Sequence, residues 1–152
     1  MLCRYHTISR PPNGRIGAMQ APDEFPIKGL LRLFIVDDNR LIRDALSQMV
    51  GALEGVEVVG MAAGAVDAIR QIQTLQPDVI ILDLQMPGRS GLHVLQTIRE
   101  QGVKSVVMIF TAYSQEQYRL EAIRLGADFF FSKTLDNERL FDELTALARK
   151  IE

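Results

Sequence analysis

The chain has 152 residues, 47% of them hydrophobic, and its 17 basic and 19 acidic side chains leave a formal charge of −2. That length buries one core with little room for a second domain, and basic residues spread along the chain exclude a concentrated surface for nucleic acid or anionic lipid. A lone Cys3, no apolar run of membrane-spanning length and no signal-peptide core in the first ten residues point away from disulfide-built, secreted or membrane-spanning classes and toward the cytoplasm.

The stretch from Arg4 to Gly29 carries Pro11, Pro12, Pro22, Pro26, Gly14 and Gly17 without apolar periodicity, so residues 1–29 read as a flexible leader and 30–152 as the folded domain. Its basic Arg4, Arg10 and Arg15 read as a solvated tail, and Met19 offers a later start of translation. From Leu31 to Val36 a short apolar run predicts a first strand that stops at Asp37 and Asp38. Leu41, Ile42, Ala45, Leu46, Met49, Val50 and Leu53 then form a helical stripe closed by Gly55. Val56 to Val59 predicts a second strand, and Val66, Ile69, Ile72 and Leu75 a second helix closed by Pro77.

Val79 to Leu82 is apolar throughout, as a central parallel strand covered on both faces should be, and it ends in Asp83. Leu92, Leu95 and Ile98 mark a third helix. Val106 to Phe110 predicts a fourth strand ending at Thr111. Ser114 and Gln117 suggest a capping box for a fourth helix that carries Leu120, Ile123 and Leu125 and stops at Gly126. Phe129, Phe130 and Phe131 predict a fifth strand leading to Lys133. Asp136 is placed to cap a last helix bearing Leu140, Phe141, Leu144 and Leu147.

Strands and helices alternating at this spacing imply right-handed crossovers and a doubly wound α/β fold, a parallel sheet with helices on both faces. Sites in such folds lie beyond the carboxyl ends of the strands, where Asp37, Asp38, Asp83, Thr111 and Lys133 all fall. Carboxylates crowded on one rim repel each other unless a counter-charge is present. A hard divalent cation such as Mg²⁺, taking carboxylate and carbonyl oxygens, supplies one. A carboxylate can attack phosphorus, and a metal with a nearby ammonium offsets charge on the transferring group; Asp83 and Lys133 suit those two roles.

Val36-Asp37-Asp38, Leu82-Asp83-Leu84-Gln85-Met86-Pro87-Gly88, Thr111-Ala112 and Ser132-Lys133, in this order over about residues 31 to 151, resemble a response-regulator receiver domain of the stand-alone, chemotaxis-regulator-like kind. The resemblance implies a flavodoxin-like sheet of order 2-1-3-4-5. It implies that Asp83 accepts a phosphoryl group from a histidine kinase or histidine phosphotransfer protein, and that Asp38, Asp83 and the Gln85 backbone carbonyl hold Mg²⁺, with Asp37 acting through a metal-bound water. It further implies that Lys133 pairs with a phosphoryl oxygen and that Thr111 shifts to bond another, coupled to Phe130 on the fifth strand. Gln85 and Tyr113 stand where the family tunes access of water. No turnover of a separate substrate is implied, and output would pass by protein contact, from a monomer or a phosphorylation-dependent dimer.

Blander roles compete for each residue taken singly. Asp37 or Asp38 could cap the first helix, Lys133 could be a solvated lysine, Thr111 an ordinary strand residue and Phe129 to Phe131 core aromatics; His93 reads as an exposed helix residue. One departure from the family is Thr134, where many receivers have proline after the lysine. Among other classes, a haloacid-dehalogenase-like phosphatase would need its nucleophile on the first strand and an acid at the place of Gln85. An FMN binder would need a glycine- and hydroxyl-rich loop in place of Asp37-Asp38-Asn39. The Val56 to Gly60 stretch also resembles receivers of DNA-binding regulators, so a fragment of one is the remaining alternative.

Overall fold

The computed structural model describes residues 29–151, so the expected leader lies outside the described residues except for Gly29. Five strands alternate with five helices: β1 (Leu31–Val36), α1 (Arg40–Gly51), β2 (Val56–Ala62), α2 (Ala65–Leu75), β3 (Val79–Leu82), α3 (Gly91–Glu100), β4 (Val106–Thr111), α4 (Glu116–Arg124), β5 (Phe129–Ser132) and α5 (Asn137–Lys150). The strands form one parallel sheet of order β2-β1-β3-β4-β5, as the sequence implied.

Alternation of side chains along each strand builds two cores. Leu33 and Ile35 of β1, Val79 and Ile81 of β3, Met108 and Phe110 of β4 and Phe131 of β5 pack on one face with Leu46 and Val50 of α1 and Leu140, Leu144 and Leu147 of α5. Phe34, Val36, Ile80, Leu82, Val107 and Ile109 pack on the other, with Ala68 and Ile72 of α2, Val94, Leu95 and Ile98 of α3 and Ala122 of α4. Burial on both faces explains the unbroken apolar runs of β3, of β4 up to Thr111 and of β1 beyond Arg32.

Local details depart from the expectations. β2 runs on to Ala62, three residues past Val59, and its register with β1 shifts between Leu33 and Phe34, which pair with Val58 and Gly60. Gly60 is needed there, since a Cβ would come 2.8 Å from the Phe34 ring. The predicted helical stripes are wider than the faces that dock: Leu41 and Val66 are more than three-quarters exposed, and Met49, Leu120 and Ile123 are also exposed. Each helix touches the sheet through a narrow ridge, so only Leu46 and Val50 of α1 and Ala122 of α4 are fully buried.

Asn39 caps α1, its side-chain Oδ1 accepting from Leu41 N and Ile42 N, so the competing cap role falls to neither Asp37 nor Asp38. Two capping expectations are corrected. The Ser114–Gln117 box does not form; α4 begins at Glu116 with Gln115 at the cap position and no side-chain cap bond, because Ser114 is drawn into a tight turn whose N–H donates to the Ala112 carbonyl. Asp136 does precede α5, but its carboxylate turns back to accept from Ser132 N at 2.9 Å instead of capping the helix.

Candidate phosphoryl-acceptor and metal site

The strand order reverses direction between β1 and β3, and the carboxyl ends of those neighbours carry Asp37 with Asp38 and Asp83, respectively. Crossovers leave this switch point in opposite directions and open a crevice there. One carboxylate oxygen from each of the three aspartates lies within 4.8 Å of the others. Asp37 and Asp83 are buried and Asp38 is exposed. At that separation two carboxylates repel by on the order of 3 kcal/mol at an effective dielectric near about 20, so the cluster requires a counter-charge.

Lys133, reaching back from the end of β5, provides part of it. Its Nζ lies 2.7 Å from Asp37 Oδ2 and 3.0 Å from Asp83 Oδ2. The second oxygen of each buried acid takes a backbone N–H: Asn39 N donates to Asp37 Oδ1 at 2.9 Å and Gln85 N to Asp83 Oδ1 at 3.2 Å. Burial raises the Asp37 pKa above the usual 3.8 and the neighbouring Asp83 charge adds to this, against the bonds from Lys133 and Asn39 N–H. Burial alone would lower the Lys133 pKa, but the bonds and charges of Asp37 and Asp83 together outweigh it and hold the ammonium above 10.5. A protonated lysine between two buried acids is therefore the resting arrangement.

One ammonium cannot neutralise three carboxylates. Asp38 makes no hydrogen bond or ion pair among the described residues, so its oxygens are available, and the cluster offers oxygen donors only. Such a set suits a hard divalent cation. Gln85 follows Asp83 by two residues in the β3–α3 loop, with its side chain exposed.

The remaining predicted residues sit around this centre. Thr111, at the end of β4, is fully buried; its hydroxyl accepts from Tyr113 N at 3.1 Å, and its carbonyl accepts from Lys133 N. It makes no bond to the acidic cluster. The Tyr113 ring stacks on Tyr118 with centroids 5.3 Å apart. Phe130 is half-buried in the core with Tyr118, whereas Phe129 and Phe131 belong to the other face and stack on each other. His93, half-buried on α3, contacts Arg89. After Lys133 the chain is held by Ser132, whose hydroxyl meets Thr134 Oγ1 at 3.0 Å and accepts from Thr134 N.

Two neighbours of the site escaped the reading of the sequence. Gly91, the first residue of α3, donates its N–H to Leu84 O, and a Cβ there would fall 2.1 Å from the carbonyl oxygen of Asp83. A glycine at a loop-to-helix junction was the available signal. Arg43 of α1 donates from Nη1 to the Asp37 carbonyl at 2.8 Å; an arginine on a helix gives no such signal.

Comparison with known proteins agrees with this fold. The family model for the response regulator receiver domain matches residues 33–145. An uncharacterized response regulatory protein of Yersinia pestis is 36% identical over 122 residues, covering 80% of this chain and 50% of that protein. A two-component response regulator of the LuxR family from Aurantimonas superposes with a TM-score of 0.74 at 27% identity, covering 80% of this chain and 87% of that one. In a CheX-CheY-BeF3-Mg²⁺ complex from Borrelia burgdorferi the values are 0.71 and 25%, with coverage of 77% and 88%. The chain spans about half the length of the curated relatives it matches. Fold, acidic rim and sequence similarity thus lead to one assignment: the chain belongs to the response-regulator receiver family of two-component signalling.

Proposed function

We propose that Asp83 is the phosphoryl acceptor, charged by a histidine kinase or histidine phosphotransfer protein, and that the phosphorylated domain signals by protein contact. The observation that carries this is the Lys133 ammonium bonded to buried Asp37 and Asp83 while Asp38 stands free beside them. Mg²⁺ would be held by Asp38, Asp83 and the Gln85 carbonyl, with Asp37 acting through a water. When bound, it neutralises the acids and the equatorial oxygens of the transferring group.

In the transfer, an Asp83 carboxylate oxygen attacks phosphorus. The phosphorus–nitrogen bond of the phosphohistidine breaks, its electron pair stays on the imidazole, and an acyl phosphate forms. Lys133 then exchanges a carboxylate partner for a phosphoryl oxygen. Thr111 gives up the Tyr113 N–H and turns its hydroxyl to another phosphoryl oxygen, and Phe130 responds on β5. Gln85 and Tyr113 govern the approach of water that ends the signal. The exposed surface of α4, β5 and α5 carries the output, as a monomer or a phosphorylation-dependent dimer in the cytoplasm, without turnover of a separate substrate.

A second reading concerns the output. Curated relatives about twice as long as the matched segment and similarity to a LuxR-family regulator favour a receiver belonging to a DNA-binding response regulator.

The test is incubation with acetyl phosphate and Mg²⁺, read by intact mass after rapid desalting. The wild type is expected to gain one alkali-labile phosphoryl group only with metal, and Asp83→Asn none. Failure of the wild type to be modified, together with failure to bind beryllofluoride, would overturn the assignment of the site.

A further inference from the structure

Of the three acidic side chains at the rim, two are fixed from several directions. Asp37 and Asp83 each hold one oxygen on Lys133 and the other on a backbone N–H. Asp38 is exposed and has no such partner among the described residues. The backbone therefore sets the direction of its Cα–Cβ bond, and no side-chain partner adds to that restraint. A metal ligand left to swing loses affinity, because binding must then supply the entropy of ordering it.

The backbone that sets this direction is the Asp37–Asp38 peptide. On its Asp37 side, Asp37 N donates to Ala62 O at 3.1 Å. Its carbonyl, the Asp37 oxygen, points to α1 and accepts from Arg43 Nη1 at 2.8 Å. Holding that oxygen fixes the plane of the peptide, and with it the ψ of Asp37 and the φ of Asp38. Arg43 is half-buried, a rigid planar fork whose charge strengthens the bond. It lies one helical turn past the Asn39 cap, and its backbone N–H donates to Asn39 O at 3.0 Å, so α1 itself carries the clamp.

We propose that Arg43 is a positioning residue for the metal site, orienting Asp38 through the Asp37 carbonyl and adding a second cationic charge beside the acidic cluster. The proposal rests on the reading of Asp38 as a metal ligand. It predicts a split between two measurements that loss of fold alone would not produce. Metal affinity depends on Asp38 and falls when Arg43 is changed. Beryllofluoride affinity at saturating Mg²⁺ depends on Asp83 and Lys133, which Arg43 does not touch, and stays at its wild-type value.

The experiment titrates Mg²⁺ by calorimetry into the wild type, Arg43→Gln, Arg43→Lys and Asp38→Asn, followed by beryllofluoride at saturating Mg²⁺ for the two Arg43 variants. Supporting groups of metal ligands are worth roughly tenfold or more in affinity. Arg43→Gln should weaken Mg²⁺ by about tenfold on that scale, and Arg43→Lys, which keeps the charge but not the fork, by about threefold. If Arg43→Gln does not fold, Arg43→Lys decides alone. Wild-type Mg²⁺ affinity in a folded Arg43 variant would overturn the proposal, as would an equal loss of beryllofluoride binding at saturating metal. A wild type that binds no Mg²⁺, or an Asp38→Asn variant that binds it fully, would instead overturn the underlying metal-site reading.

Discussion

The two ends of the sheet both bury acids, yet they use them differently. At the amino end, buried Asp78 accepts from Arg32 N, and Asp128, exposed at the same rim, accepts from Val107 N and from the Arg99 guanidinium. Arg32 also donates to the carbonyls of Leu75 and Gln76, and Ser105 to that of Pro77. Each polar group there completes the hydrogen bonding of a strand edge or a helix end. At the carboxyl end, Asp37, Asp38 and Asp83 face one another, and one lysine serves two of them. Burial of an acid is thus common to both ends, whereas mutual proximity with an incomplete counter-charge belongs to the site alone.

The largest effect that would sharpen this contrast is Lys133→Met. Loss of the cation facing the transferring group should slow phosphorylation by acetyl phosphate on the order of a hundredfold, with the far-ultraviolet circular dichroism unchanged. Next is Asp78→Ala, which removes the acceptor of the half-buried Arg32 N–H and should cost about 2 kcal/mol in urea unfolding while the folded protein is phosphorylated at the wild-type rate. A slowed rate there would break the contrast between the ends.

The smallest effect has the opposite sign. Asp37→Asn keeps an acceptor for Asn39 N–H and leaves Lys133 its bond to Asp83, but removes one of the crowded charges. In the presence of a chelator it should raise stability by about 1 kcal/mol. Because the Asp37 pKa is raised in the folded protein, the native state takes up its proton before the unfolded chain does. The wild type therefore gains stability relative to the variant as pH falls from the raised value toward 3.8. The advantage of Asp37→Asn should shrink over that window in urea melts at successive pH values.

The sequence could reveal the strands and the rim because both are written in one dimension. Central parallel strands are apolar without interruption, as in Val79 to Leu82, and each ends where the first polar residue appears. Asp37, Asp83 and Thr111 were found by that rule, and Lys133 follows one residue later, after Ser132 closes β5. What was hidden depends on the direction of side chains in space. Ser114 and Gln117 have the spacing of a capping box, but the turn at Ala112 and the Tyr113–Tyr118 stack take the chain elsewhere. Leu41 fits the apolar period of α1, yet lies in its first turn and stays exposed. Arg43 reads as a surface cation until the helix brings it under the Asp37 carbonyl.

The close approach of Gly91 to Asp83 has a genetic meaning. Every missense change at a glycine codon adds a Cβ, and here that carbon would fall 2.1 Å from the Asp83 oxygen, against backbone that has no flexible end to yield. Even alanine, the mildest replacement, must push β3 and α3 apart before it fits. A random mutational library should therefore return no tolerated allele at codon 91, even though the residue contributes no side chain to the chemistry.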